Sequence, residues 1–353
     1  MARIGVITTS YPRFAGDHAG SFVGAHVRAL AAMGHECDVV HATQSDPLFY
    51  RGGAPDAIER LGVRALPAAA SFTARLTARV AARSRGRGSQ RGSHARGWDA
   101  AIAHWLAPSA IVAAAALPRH VPLLAIAHGG DVHTLRRTHL LGPVLRALRM
   151  RGAKLAVVSN ELCVLCAPYM DAIVQPMGID VPHFAALGRA PTSPPTIAVI
   201  ARLVPVKGID IAIRALDHIT QPVRLVIAGD GPLREALTRM TDRATFLGEI
   251  DAPARDQLLR EASVVVMPSR VLMNGRSEGV PMVALEALAA GVPVIASRVG
   301  GLAELPVTHV PPDDPHALAA AIDEVLERPP PRQAMAAFDW REVAARLLPM
   351  LPA

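Results

Sequence analysis

The chain has 353 residues, enough for two domains with separate cores, and no apolar run approaches the roughly 18 to 20 residues of a membrane span. It carries 37 Lys and Arg against 30 Asp and Glu, a formal net charge of +7, and the excess lies in the first half: residues 1–185 hold 20 cations against 11 anions, residues 186–353 hold 17 against 19. A basic half suits an anionic membrane surface or an acidic substrate. Nucleic acid is disfavoured, because aromatics are 4% and no stacking platform or recognition motif occurs.

The start, MARIGVITTS, is too short in its apolar part for a signal peptide and reads as a first buried strand, so a cytoplasmic protein is expected. Three cysteines fit a reducing compartment, and the lone CxxC at Cys163 and Cys166 lies in a helical pattern with no second pair to complete a metal or redox site. RIGVITTS, HECDVVHA, WDAAIAH, VPLLAIAH and AKLAVVS are short apolar runs separated by helical patterns such as GSFVGAHVRALAAMG. This alternation predicts a doubly wound parallel α/β sheet, whose ligands bind beyond the carboxyl ends of the strands.

Three loops fall at such strand ends. TSYPRFAGDHAGSFV follows the first strand, and Gly16 and Gly20 would let backbone approach a ligand, without the spacing of a G-x-G-x-x-G fingerprint. HWLAPS offers His104 and Trp105, and AHGGDVH offers His128, with two glycines giving it little steric cover and Asp131 three residues on. Residues 83–97, RSRGRGSQRGSHARG, interrupt the alternation as a basic loop. GRAPTSPP at 188–195 reads as a linker between a first domain, 1–187, and a second, 188–334, with an amphipathic tail helix at 335–353.

After the linker the same grammar restarts with TIAVIARL, VRLVIAGDGP, ATFLGEI, SVVVMPS and GVPVIAS. The first loop of this half is ARLVPVKG. Only two of the 37 cations are lysines, so Lys207 is hard to dismiss as compositional drift. With Arg202 it supplies a point charge and a bidentate fork that together suit a diphosphate. Glu278 to Gly291, EGVPMVALEALAAG, reads as a helix with Pro281 as its first residue and Gly291 closing it. The unpartnered N–H groups and dipole of such a helix start attract an anion. Glu278 stands just outside the start, and Glu286 about a turn and a half inside, among apolar neighbours that call for a partner. Two carboxylate acceptors beside an anion site suit a nucleotide sugar.

The run PSR…EGVPMVALEALAAGVPVIAS resembles the donor-site motif of the retaining family-four glycosyltransferases of the GT-B fold, the glycosyl transferases group 1. The resemblance covers nearly the whole chain and implies two Rossmann-like domains facing across a cleft, with the tail helix packed back on the first. It implies a donor site of Gly16, Gly20, Arg202, Lys207, Glu278, Gly279, Val280, Pro281, Met282 and Glu286, in which Arg202 and Lys207 hold the diphosphate. The first glycine-rich loop would close over the donor phosphates and the acceptor. His128 matches the histidine that contacts the transferred sugar, giving His128, Glu278, Arg202 and Lys207 catalytic roles, while His104, Trp105 and Asp131 are candidates for the acceptor wall. No Asp-x-Asp occurs, so the expected reaction uses no metal and no cofactor beyond the nucleoside diphosphate sugar, a UDP-sugar in preference to a GDP-sugar. The basic first half suggests peripheral contact with an anionic membrane on its inner face. A GT-B-fold sugar-nucleotide epimerase and a catalytically silent glycan-binding subunit remain alternatives.

Overall fold

A computed structural model describes residues 1–12, 20–43, 66–86 and 96–351. The chain forms two compact units, Met1–Gly178 with Trp340–Ala353, and Ile179–Asp339. Unit 1 contains strands β1 (Arg3–Ile7), β2 (Glu36–Val40), β3 (Ala100–His104), β4 (Leu123–Ala127), β5 (Lys154–Val157) and β6 (Ile173–Val174). All pair in parallel, in the order β2-β1-β3-β4-β5-β6. Every residue of β3 and β4 is buried, which is why both read as unbroken apolar runs. Strand order reverses beside β1, so the loops leaving β1 and β3 part from one another, as at the ligand crevice of doubly wound sheets.

The helix Leu66–Ser84 has no counterpart in the sequence reading. Its polar residues mask a narrow apolar stripe, Phe72, Leu76 and Val80, spaced four apart and fully buried. The stretch 83–97 is therefore a loop only after this helix ends, and residues 87–95 of it lie outside the described residues. The last helix, Trp340–Leu347, packs on unit 1 through Trp340, Val343, Ala344 and Leu347. Gly178 lets it approach, since a Cβ there would stand 2.7 Å from the Trp340 ring.

Unit 2 repeats the plan with β7 (Thr196–Ile200), β8 (Arg224–Ala228), β9 (Ala244–Gly248), β10 (Ala262–Met267), β11 (Val294–Ser297) and β12 (Thr308–Val310), ordered β12-β11-β10-β7-β8-β9 and parallel throughout. Side chains of β7 alternate between two cores. Ala198 joins Val265, Leu285 and Leu288 on one face of the sheet, while Ile197 and Val199 join Ile211, Leu318 and Ile322 on the other.

The Pro-rich segment 188–195 is not a linker. Ala190 and Thr192 donate their N–H groups to the carbonyls of Arg260 and Glu261, which ties the segment into unit 2. The chain passes between units at 178/179 and 339/340, where Ile179 pairs with Asp339 and donates to the Phe338 carbonyl at 2.8 Å. Among the described residues no helix is long and apolar enough to cross a membrane.

Candidate functional site

In unit 2 the loop leaving β7 folds into a turn, Pro205–Lys207, and ends at Gly208 in the left-handed conformation, φ 59°. A Cβ on Gly208 would lie 1.9 Å from the Pro268 carbonyl oxygen, so the loop after β7 can touch the loop after β10 only with glycine there. Arg270 N–H donates to the Val206 carbonyl at 2.9 Å, and the Arg270 guanidinium reaches Asp210 at 2.9 Å. These contacts fix the two loops to one another, with Lys207 between them.

Lys207 Nζ stands 2.5 Å from Glu278 Oε2, and Ser269 Oγ is a looser 3.5 Å from the same oxygen. Both charged side chains are about four-fifths buried, at 21% and 14% exposure, so each needs the other. Glu278 is placed through its backbone: its carbonyl accepts the Gly301 N–H at 3.0 Å, and a Cβ on Gly300 would lie 2.0 Å from that carbonyl oxygen. The Gly300–Gly301 turn after β11 thus carries the segment Glu278, Gly279 and Val280 that leads to the helix Met282–Ala289. Pro281 is the residue before the first turn, not the first helical residue. Its φ of −69° suits either role, but ψ is 131° and the backbone is still extended. No side chain caps this start; the Ala284 N–H turns back to the Pro281 carbonyl at 3.1 Å, which leaves the N–H groups of Met282 and Val283 at the helix end that Glu278 leads into.

Glu286 has a different partner. Arg255 Nη1 donates to Glu286 Oε1 at 3.1 Å, and the same guanidinium lies over the Phe184 ring and bonds Asp256 at 2.8 Å. Asp256 in turn meets His183 at 2.7 Å. Burial pushes the Glu286 carboxyl above its ordinary pKa, and Arg255 opposes the shift. Arg202 is exposed on the loop that carries Lys207. Ser269, Arg255 and the Gly300–Gly301 turn were not singled out from the sequence. The one visible signal was the apolar setting of Glu286, which called for a partner without naming it.

In unit 1 the start of the helix after β1 meets the residues that follow β3 and β4. Gly20, φ 66°, precedes the helix Ser21–Ala32, whose first turn carries Phe22; Gly16 lies outside the described residues. Trp105 takes the uncommon φ of 71° directly after β3. The rings of Phe22, Trp105 and His128 pack together, with centroids 5.0 Å apart for Phe22 and His128 and 4.9 Å for Trp105 and His128. All three are partly exposed, so the cluster offers aromatic surface to a ligand.

Two residues expected at the acceptor wall lie behind that surface. Asp131 is 1% exposed, and its carboxylate accepts N–H bonds from Leu106 at 2.7 Å and from His128, Gly129 and Val132 at 3.0 to 3.1 Å. Its role is to lock the β3 and β4 loops in register. His104 is fully buried and bonds His128 on one side and His26 on the other. His26, on the buried stripe of its helix with Val23 and Leu30, was not anticipated.

The description glycosyl transferases group 1 belongs to the family model that matches residues 194–328. This segment belongs to that family. The group 1 domain thus runs from the strand before the Lys207 loop, through both glutamates, to the last helix of unit 2. Among curated relatives, glycogen synthase of Mycobacterium tuberculosis is 34% identical over 214 residues, covering 54% of this chain and 50% of the relative. The GDP-mannose-dependent alpha-(1-6)-phosphatidylinositol monomannoside mannosyltransferase of Mycolicibacterium smegmatis is 34% identical over 181 residues, 44% of this chain and 47% of the relative. The chain therefore spans about half the length of the curated relatives it matches. Solved structures align along its length: the Anabaena HepE protein in complex with UDP and glucose, at 17% identity, 99% coverage of each chain and TM-score 0.66, and the Arabidopsis thaliana starch synthase IV catalytic domain bound to ADP and acarbose, at 13% identity, 99% and 98% coverage and TM-score 0.68. The group 1 glycosyltransferase domain and its companion unit accordingly share the GT-B architecture.

Proposed function

We propose that this chain is a retaining glycosyltransferase that moves a sugar from a nucleoside diphosphate sugar to an acceptor hydroxyl in envelope polysaccharide, glycolipid or natural-product glycoside synthesis. The observation that carries the reading is the Lys207–Glu278 pair beside the uncapped start of the helix Met282–Ala289. It sets a cation, a carboxylate acceptor and the N–H groups of a helix start where a diphosphate with a flanking sugar would be recognised. Arg202 and Lys207 would hold the diphosphate, Glu278 the donor sugar, Glu286 the ribose, and His128 the transferred sugar. Displacement occurs on the same face of the sugar: the bond from the anomeric carbon to the diphosphate oxygen breaks, the bond to the acceptor oxygen forms, and the leaving phosphate takes the acceptor proton. Positioning and charge compensation supply the rate, without a metal. The solved neighbours with UDP and ADP and the relative that uses GDP-mannose support a nucleotide-sugar donor, with UDP-sugars the first to test.

Incubation with labelled UDP- and GDP-sugars tests the reading. Slow hydrolysis releasing free sugar with retained anomeric configuration is expected. A new sugar nucleotide would instead identify an epimerase, and binding without turnover a silent glycan-binding subunit.

Peripheral docking on an anionic membrane is the second part of the proposal. Residues 132–160 contain Arg136, Arg137, Arg146, Arg149, Arg151 and Lys154 and no acidic residue. Arg136, Arg146 and Arg149 are exposed on the helices Gly130–Arg137 and Leu141–Met150, near the exposed apolar side chains of Leu140 and Met150. Among the arginines from 75 to 96, three of the described ones are engaged within the protein: Arg83 pairs with Asp38, Arg96 with Asp99, and Arg79 donates to the His41 carbonyl.

A further inference from the structure

Three histidines of unit 1 stand in a line. His26 Nδ1 lies 3.2 Å from His104 Nε2, and His104 Nδ1 lies 3.1 Å from His128 Nε2. Their nitrogens meet in pairs and do not converge on a point, and among the described residues no group of three His, Cys, Asp or Glu is placed to hold a metal ion. Desolvation keeps the rings neutral near pH 7: buried His26 is lowered to about 4, His128, although one edge of it is exposed, to about 3, and buried His104 well below its ordinary value.

A neutral imidazole carries one proton on two nitrogens, and each ring-to-ring bond needs one N–H and one lone pair. Together these conditions leave two arrangements. In the first, every ring is protonated at Nδ1, each donates toward His128, and His128 turns an Nδ1–H toward a ligand. In the second, every ring is protonated at Nε2, His128 turns a lone pair outward, and the surplus N–H sits at the far end on His26. The far end decides between them. His26 Nε2 is buried with no hydrogen-bond partner among the described residues, and the ring is stacked on Trp340 at an interplanar angle of 12°. A buried N–H without an acceptor is rarer than an under-used acceptor, so the proton belongs at the other end of the line.

We propose that His26, acting through His104, is a positioning residue that fixes His128 as its Nδ1–H tautomer, so that His128 meets its ligand as a hydrogen-bond donor. The matching ligand group is an oxygen lone pair, on a sugar hydroxyl or on a phosphate of the donor. The ligand half of the inference rests on the placement of His128 at the donor sugar; the tautomer itself is a property of the ligand-free protein.

Long-range proton–nitrogen correlation NMR on the full chain with ¹⁵N-labelled histidine reads the tautomers directly, with His26→Phe and His128→Ala assigning the signals. Nδ1–H is expected on all three rings at pH 7. Nε2–H at His128, or a mixture there, overturns the proposal. His26→Glu places a carboxylate acceptor at the far end and should reverse the line, giving Nε2–H at His104 and His128. Turnover should then fall roughly tenfold or more, with donor KM within about twofold, because a ring held in the wrong tautomer keeps its place but not its chemistry. If this variant folds and His128 keeps Nδ1–H, His26 does not set the tautomer. If it does not fold, the spectrum of the natural sequence still decides. Reversed tautomers with unchanged turnover would leave the relay standing and sink the placement of His128 at the donor sugar.

Discussion

Lys207 and Glu278 neutralise one another at 2.5 Å in a setting only about one-fifth exposed, so removing either has two effects. The first is on the ligand. Lys207→Ala or Arg202→Ala deletes a charge-assisted contact to the diphosphate, on the order of 2 to 5 kcal/mol, or roughly 30- to several-thousand-fold in kcat/KM for the donor. Normal donor turnover in either variant would show the phosphate to be misplaced. The second is on the protein: Lys207→Ala strands a part-buried carboxylate beside Ser269, which should cost about 1 to 2 kcal/mol in urea unfolding, whereas exposed Arg202 should cost less. The other carboxylate answers to Arg255. Glu286→Gln and Arg255→Ala should both weaken calorimetric binding of free nucleotide, while Glu278→Gln should mainly lower turnover. Equal effects of all three on nucleotide affinity would point to a simple binding pocket.

At the scale of the element, the glycine that joins two strand-end loops is a sensitive point. Gly208→Ala forces a Cβ toward the Pro268 carbonyl at a positive φ, so a loss of about 1 to 3 kcal/mol is expected, together with poor donor use as Lys207 shifts. A thermal midpoint equal to that of the natural sequence would refute it. The line of histidines from the helix Ser21–Ala32 through β3 to the residue after β4 carries a different liability. Desolvation in the folded protein lowers His26 to about 4 and His128 to about 3, against about 6.5 for an unfolded histidine. Between these values the unfolded chain holds protons that the folded chain refuses, so stability falls as pH drops below about 6.5 and continues to fall toward pH 4. Urea midpoints at pH 7 and pH 5 should show the drop, and His26→Phe should reduce it. Much of this scale was legible in advance. Buried parallel strands announce themselves as apolar runs, and the strand ends place the motif loops. Two- and three-residue strands such as β6 and β12 carry no periodicity, and the stripe of Leu66–Ser84 is diluted by arginines. His26 was hidden because its partners are far off in sequence, His104 by 78 residues and Trp340 in the tail helix, and only the fold brings them together. Asp131 was misread for the opposite reason: a carboxylate in a ligand-facing loop looks the same in sequence whether it meets a ligand or the loop's own backbone.

For the whole molecule, the basic surface predicts where the protein works. Each cation near an anionic bilayer contributes about 1 kcal/mol, and exposed charges are screened within about 10 Å at 0.1 M salt. Co-sedimentation with phosphatidylglycerol vesicles should therefore be clear at low salt and lost at high salt, and Arg146→Glu with Arg149→Glu should reduce it roughly tenfold or more. No binding at low salt would leave a soluble acceptor. The path of the chain has a consequence of another kind. Unit 2 is one continuous segment, Ile179–Asp339, while unit 1 is closed by residues from Trp340 onward. On the ribosome, unit 2 can acquire all of its sequence before unit 1 does, although unit 1 begins to emerge first. Until Trp340 arrives to cover His26 and the helix that carries it, the nascent first unit exposes an apolar flank, and a ribosome stalled before that point would release a half-finished protein to chaperones and proteases.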